Sequence, residues 1–381
     1  MIDLADAPII DDHSHGFTLA RLRAAPPAEF LDRIGMLGAC LVSSGGLSDD
    51  DRELLHELSD SDPLIMATIL RLSELLGCEP TRESVTAART QALDTDYLKR
   101  LWAHAEMRSM VVDDGYPLPR VDPVEMERDA GIKVHHVVRI EPIIVEARER
   151  AASFAELAEE LTAALEASPA IGIKSVIAYR TGLDVQEWSR SDVESAFTRW
   201  KEAGFPETRE LAKPVRDALL DRTVEAAGGR PVHIHCGGGD PSVVLAYARP
   251  KDLFPFLDRH RDHPIVLIHG GWPWLEEGAY VASILPRVYL DTSINTSWSS
   301  LIIDQKLEAV MGIAPTAKVM YGSDESTEPE LAWISAVTTR EALERVLGAA
   351  VDRRWMTEGD AVRVGRGVLG GNCARLHGLD A

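Results

Sequence analysis

Eight short apolar, β-branched runs recur along the chain, each ending in polar residues or glycine, and this recurrence constrains the fold most. They read APII (7–10), MRSMVV (107–112), HHVVRI (135–140), IGIKSVIAY (171–179), RPVHIH (230–235), HPIVLIH (263–269), RVYLDTS (287–293) and AKVMYGSD (317–324). Continuous rather than alternating apolar text is how strands buried on both faces of a parallel sheet read. Between the runs lie amphipathic helical segments. Two examples are EARERAASFAELAEELTAALEAS (146–168) and RELAKPVRDALLDRTVEAAGG (209–229), the second stopped by a glycine pair.

Strands alternating with helices in this number predict an α/β fold, a (β/α)8 TIM-type barrel. A doubly wound sheet is the competing arrangement. The barrel is favoured because polar residues collect at the C-terminal ends of many strands and not at one crevice. The 381 residues are read as one domain, 1–381, within the range of a barrel with insertions. One stretch breaks the rhythm. Residues 18–106 contain no strand, and the helical text includes LSDDDRELLHELSD (47–60), where Ser48 and Asp51 have capping-box spacing. This is expected to be a helical insertion after the first strand, with a lid, a dimer surface and a padded connection all open as its role.

Composition narrows the partners. A formal net charge of −21 argues against a nucleic-acid or anionic-membrane surface, both of which demand a basic face. No apolar run reaches the roughly 18 residues of a membrane span. The four cysteines, Cys40, Cys78, Cys236 and Cys373, have no CxxC spacing, so a reduced, cytoplasmic setting is expected. The partner expected is a small-molecule substrate, and a homo-oligomer is left open.

Polar residues at strand ends carry the chemistry. The first strand ends in His13 and His15, whose spacing points both the same way off a strand. The fourth carries Lys174, the fifth His233 and His235, the sixth His269 and the eighth Asp324. A barrel brings all C-terminal strand ends to one mouth. Several imidazoles and one carboxylate there suit Zn2+ or another divalent ion such as Mn2+. CGGGD (236–240) lacks the lysine and hydroxyl residue of a phosphate loop, and its glycines are read as a tight turn.

The motifs DDHSH, GIKS, HIHCGGGD, LIHGG and YGSDE, in this order, resemble the amidohydrolase superfamily of metal-dependent hydrolases. GIKSVIAYRTGLDV, VLIHGGWPWLEEGAYVASILPRVYLDTS and LGGNCARLHGL are similar to the amidohydrolase-related group that includes the N-terminal domains of glutamine synthetase-like fusion proteins. The resemblance covers residues 8–17 and about 170–378. It implies metal ligation by His13, His15, His235, His269 and Asp324, with Asp324 also taking the proton of the attacking water. It places Lys174 where two-metal members carry a carboxylated, bridging lysine, so one ion and two ions both stay open. His269 is either a ligand of the second ion or a free imidazole stabilising oxyanion charge.

The remaining residues have plainer readings. His233 is read as packed or supporting, one pleat deeper than His235. His135 and His136 are read as structural residues starting a strand, and His56, His104, His260 and His263 as solvated. Cys236 is read as a small packed residue. Tyr179 and Arg180 are candidates for holding a substrate carboxylate, and Trp272, with Trp274, for a substrate wall. Three functions follow: hydrolysis of an amide or other C–N bond, metal-dependent decarboxylation of an aromatic or unsaturated acid, and a non-catalytic barrel that binds a partner.

Overall fold

The computed structural model describes residues 2–43 and 48–380; residues 44–47, within the stretch read as an insertion, lie outside the described residues. Eight strands form one parallel sheet in sequential order: β1 (Ile9–Ser14), β2 (Met107–Asp113), β3 (Lys133–Arg139), β4 (Gly172–Ser175), β5 (Val232–His235), β6 (Ile265–Ile268), β7 (Val288–Asp291) and β8 (Val319–Met320). The seam between β8 and β1 is drawn together by backbone bonds. Asp12 N–H donates to Tyr321 O at 2.9 Å, and Asp324 N–H to His13 O at 2.8 Å. Helices separate the strands, and the arrangement is a (β/α)8 barrel.

The strands are buried because both faces are covered. Ile10, Val111, Val137, Val266, Ile268 and Met320 come from five strands, β1, β2, β3, β6 and β8, and pack as one small cluster, which only the barrel interior permits. Cys373 and Ala374 of the C-terminal helix Asn372–His377 join that cluster. The large core lies outside, between the strands and the surrounding helices. Helix Phe154–Ala167 shows how the sequence builds this layer. Leu157, Ala158, Leu161 and Leu165 form a buried stripe at helical spacing, and the Ser153 hydroxyl caps the first turn by accepting from Glu156 N at 3.2 Å. Ser153→Ala should cost about 1 kcal/mol of stability in denaturant unfolding, with no change in the folded spectrum. Helix Arg209–Ala226 ends ahead of Gly228 and Gly229, both at positive φ, as the glycine pair predicted.

The described residues between β1 and β2 are helical, and Ser48 and Asp51 form the reciprocal cap. This layer is bolted to the segment after β8 by buried ion pairs. Arg89 Nε lies 2.5 Å from Glu330 Oε1 and its Nη2 2.7 Å from Glu328 Oε2, and Arg33 Nε lies 2.6 Å from Glu328 Oε1. The Tyr97 hydroxyl donates to Glu330 at 2.6 Å.

Several histidines differ from expectation. β3 begins at Lys133, so His135 and His136 sit within the strand and do not open it. Of the four read as solvated, His56 and His104 are exposed as expected and His260 and His263 are half-buried, and all four also have partners. His56 Nδ1 lies 3.0 Å from Asp32 and His260 Nε2 2.7 Å from Asp221. His104 Nδ1 accepts from Trp333 Nε1 at 3.1 Å, and His263 Nε2 lies 2.9 Å from Arg230 O. Helical text gives the spacing along one helix but not the acid on the next, which is why these pairs were not legible.

Candidate metal centre

The C-terminal strand ends enclose a cavity of about 300 Å³, of the size of a small-molecule site. His13, His15, Lys174, Tyr179, Arg180, His235, His269 and Asp324 all line it. His13, His15 and Asp324 each offer a ligand atom, and these atoms lie within 4.8 Å of one another. His13 Nε2 is 3.2 Å and His15 Nε2 3.4 Å from the same Asp324 Oδ1. The backbone is shaped for this. The β1–β2 register shifts between Asp11 and Ser14, which breaks strict alternation just where the two histidines turn into the mouth. Asp11, buried and with its carboxyl pushed up to about 7 chiefly by burial, accepts from His13 N at 3.2 Å and Ser323 N at 2.9 Å. It therefore ties β1 to the segment that carries Asp324. Asp324 and His269 both adopt positive φ, 57° and 66°, a costly conformation for non-glycine residues that the surrounding bonds hold in place.

His235 and His269 form a second pair beside the first group. Their rings are 4.5 Å apart, and His269 Nε2 lies 3.0 Å from His235 Nδ1. Behind them stands Asp291, at the end of β7. Its Oδ1 accepts from the backbone N–H of His269 and of Ser293, each at 3.1 Å, so the Ser293 hydroxyl must donate to it as well. Ser293 Oγ then accepts from His269 Nδ1–H at 2.8 Å. This fixes the tautomer: His269 Nε2 carries a lone pair directed into the mouth. That favours a ligand role for His269 over an oxyanion donor.

Electrostatics agree. Burial, then the Lys174 charge or a neighbouring imidazole, holds His13, His235 and His269 well below the usual histidine range, so they stand as neutral ligands. Neutral His235 has one ring proton for two acceptors, Gly238 O at 3.1 Å and His269 Nε2. The pair is one hydrogen short, a deficit that a cation held there would meet. The buried Nδ1 atoms of His13 and His15 have no partner, leaving both imidazoles unconstrained by a second bond. Burial also lowers the Lys174 ammonium. Its Nζ lies 3.2 Å from His13 Nε2, and it makes no ion pair among the described residues. The donor set therefore fits a divalent ion.

Other residues complete the wall. The Tyr179 ring lies tilted at 60° against His235, 4.6 Å away, its hydroxyl accepts from Asp240 N at 3.2 Å, and burial pushes its pKa up. Arg180 is exposed and makes no ion pair among the described residues. Trp272 stands apart from the expected wall: its indole faces Lys306 Nζ at 4.6 Å, and its carbonyl accepts from Gly238 N at 2.5 Å. Gly237, at φ 90°, permits that close pass, since a Cβ there would meet Trp272 O. The wall is formed by Tyr116, Trp298 and Arg139, with Met36, Ala39 and Cys40 from helix Met36–Ser43. His233 is fully buried below the mouth, and Cys236 is packed in the core.

Imidazoles and a carboxylate gathered at the C-terminal mouth of a (β/α)8 barrel define the fold class of metal-dependent barrel enzymes. The profile of the amidohydrolase family matches residues 124–379, and the chain belongs to that family. Protein fluG of Emericella nidulans is 30% identical over 231 residues, 56% of this chain, and the match spans 26% of that protein. Only about a quarter of that relative's length is thus represented. Among solved structures, a proposed metal-dependent hydrolase from Lactobacillus casei has TM-score 0.81 at 18% identity, covering 99% of this chain and 98% of the other. The glucuronate isomerase of Caulobacter crescentus has TM-score 0.70 at 16% identity, covering 99% and 92%. At these identities the likeness is one of fold.

Proposed function

We propose that the chain is a hydrolase that cleaves an amide or other C–N bond of a small molecule, using Zn2+ or another divalent ion such as Mn2+. The observation that carries this reading is the convergence of His13, His15 and Asp324 within 4.8 Å at the buried end of the cavity. His235, His269 and Lys174, which line the same cavity, extend the donor set. When bound, the ion supplies Lewis acidity to the substrate carbonyl and to the attacking water. Asp324 orients that water, takes its proton and returns it to the leaving nitrogen, so that water and amide become acid and amine. Tyr179 and Arg180 hold an acidic group on the substrate, Arg180 by its two-pronged donors. The Lys174 amine, lowered by burial, is suited to carboxylation and to bridging a second ion. The helices between β1 and β2 cover the mouth through Met36, Ala39 and Cys40 in this reading. A cytoplasmic setting goes with the absence of any disulfide among the described cysteines. Consistent with that, no described helix is long and apolar enough to cross a membrane.

A second reading keeps the ion and changes the reaction to decarboxylation of an unsaturated acid. The unpaired Arg180 at the rim favours an acidic substrate under either chemistry. A panel of N-acyl compounds and unsaturated acids, followed in parallel for amine and CO2 release, separates the two. Amine release supports the proposal, and CO2 release without amine replaces it. In the same assay Arg180→Met should raise KM for acidic substrates about 10-fold or more while leaving kcat within a few-fold. Equal losses for neutral and acidic compounds would remove Arg180 from the binding role.

A further inference from the structure

Beneath the mouth, on the floor of the barrel, lies a second set of donors that the chemistry above does not use. Asp12, Cys373 and His377 each present a ligand atom, all within 4.8 Å of one another. Asp12 comes from β1, and the other two from the C-terminal helix, four residues apart and so on one face of it. The Asp12 and His377 side chains are completely enclosed, with His377 Nε2 3.3 Å from Asp12 Oδ1, and the Cys373 thiol bonds to the same carboxylate. An ordinary buried Asp–His pair would account for these contacts alone. It does not account for what surrounds them.

His233 of β5, also fully buried, lies with its ring 5.1 Å from that of His377, and neither of its nitrogens has a partner among the described residues. His377 Nδ1 is likewise without a partner among the described residues. A buried polar atom left so is costly, and several at one spot ask for a shared ligand. The residue types name it. One thiolate, one carboxylate and two imidazoles make the closed, four-coordinate set of a structural Zn2+ site. The carboxylate and thiolate together neutralise a divalent charge, which makes the ion tolerable in a dry interior. Cys373 gives up its proton on binding, and that proton leaves to solvent.

We propose that Asp12, Cys373 and His377, with His233 as the fourth donor, form a structural zinc site on the barrel floor that staples the C-terminal helix to β1 and β5. This site is separate from the mouth, and either can exist without the other.

The test uses the full-length chain loaded with Co2+ in place of zinc. The variant His15→Ala/Asp324→Asn, which removes two of the three donors on which the mouth ion would sit, should still hold one equivalent of Co2+ and show the near-ultraviolet thiolate-to-cobalt band. Adding Cys373→Ser should abolish the band and the remaining equivalent. A mouth variant that folds but holds no Co2+, or holds it without a thiolate band, overturns the proposal. So does a band that survives Cys373→Ser. If the Cys373→Ser protein fails to fold, the mouth variant alone decides.

Discussion

Asp324→Asn is expected to lower kcat/KM by about 10³-fold or more, because it removes the group that moves the proton as well as one metal donor. The amide keeps the size of the carboxylate, and the Asp324 N–H to His13 O bond belongs to the backbone, so the fold should be unaffected. Two measurements are needed together: steady-state rates on the amine-releasing substrate, and the metal content of the purified protein. Loss of rate with metal retained assigns Asp324 to proton transfer. Loss of both assigns it to binding the ion. A variant with full activity would remove Asp324 from the site.

The largest stability effect is expected at Arg89→Met. The wild-type guanidinium is 2% exposed, lies over the Phe30 ring at 4.4 Å and pairs with both Glu328 and Glu330. Its removal leaves Glu330 without a cation and Glu328 with Arg33 alone in the interior, which should cost about 3–5 kcal/mol in equilibrium unfolding. The pH dependence has a definite sign. Burial already raises the Glu328 carboxyl above its ordinary value, opposed by Arg89 and Arg33. A group whose pKa is higher in the folded state binds more protons there, so stability is lost as pH rises through the folded value. Without Arg89 that rise grows, and the variant should be less destabilised at about pH 5 than at about pH 8. Equal destabilisation at both would mean that lost packing, and not stranded charge, dominates.

The barrel and much of its mouth were legible because one rule applied throughout: a buried strand tolerates a polar residue only where the strand opens onto a site. His13, His15, Lys174, His235, His269 and Asp324 were found that way, and all line one cavity. The same rule, applied to HHVVRI and RVYLDTS, would have found Arg139 and Asp291. The first binds Asp113 through two nitrogens, and the second sets the His269 tautomer through Ser293. Other features had no local signal. The contact of Asp12 with His377 spans 365 positions and depends on the last helix folding back under the barrel. Met36 and Ala39 are unremarkable text in a helical segment, and only packing places them at the mouth. For Trp272 the sequence left a substrate wall and a packed residue both open, because an aromatic after a strand end can turn either way; here Gly238 N donates to its carbonyl and the indole lies against the core beside Lys306.

The central claim is that the mouth holds a divalent ion on His13, His15 and Asp324. Anomalous diffraction at the zinc edge, from crystals of the Zn2+-loaded full-length chain, tests it most directly. The expected result is a peak about 2.0–2.2 Å from His13 Nε2, His15 Nε2 and an Asp324 oxygen. The claim is contradicted if the loaded crystals show no peak at the mouth and both imidazoles remain hydrogen-bonded to Asp324.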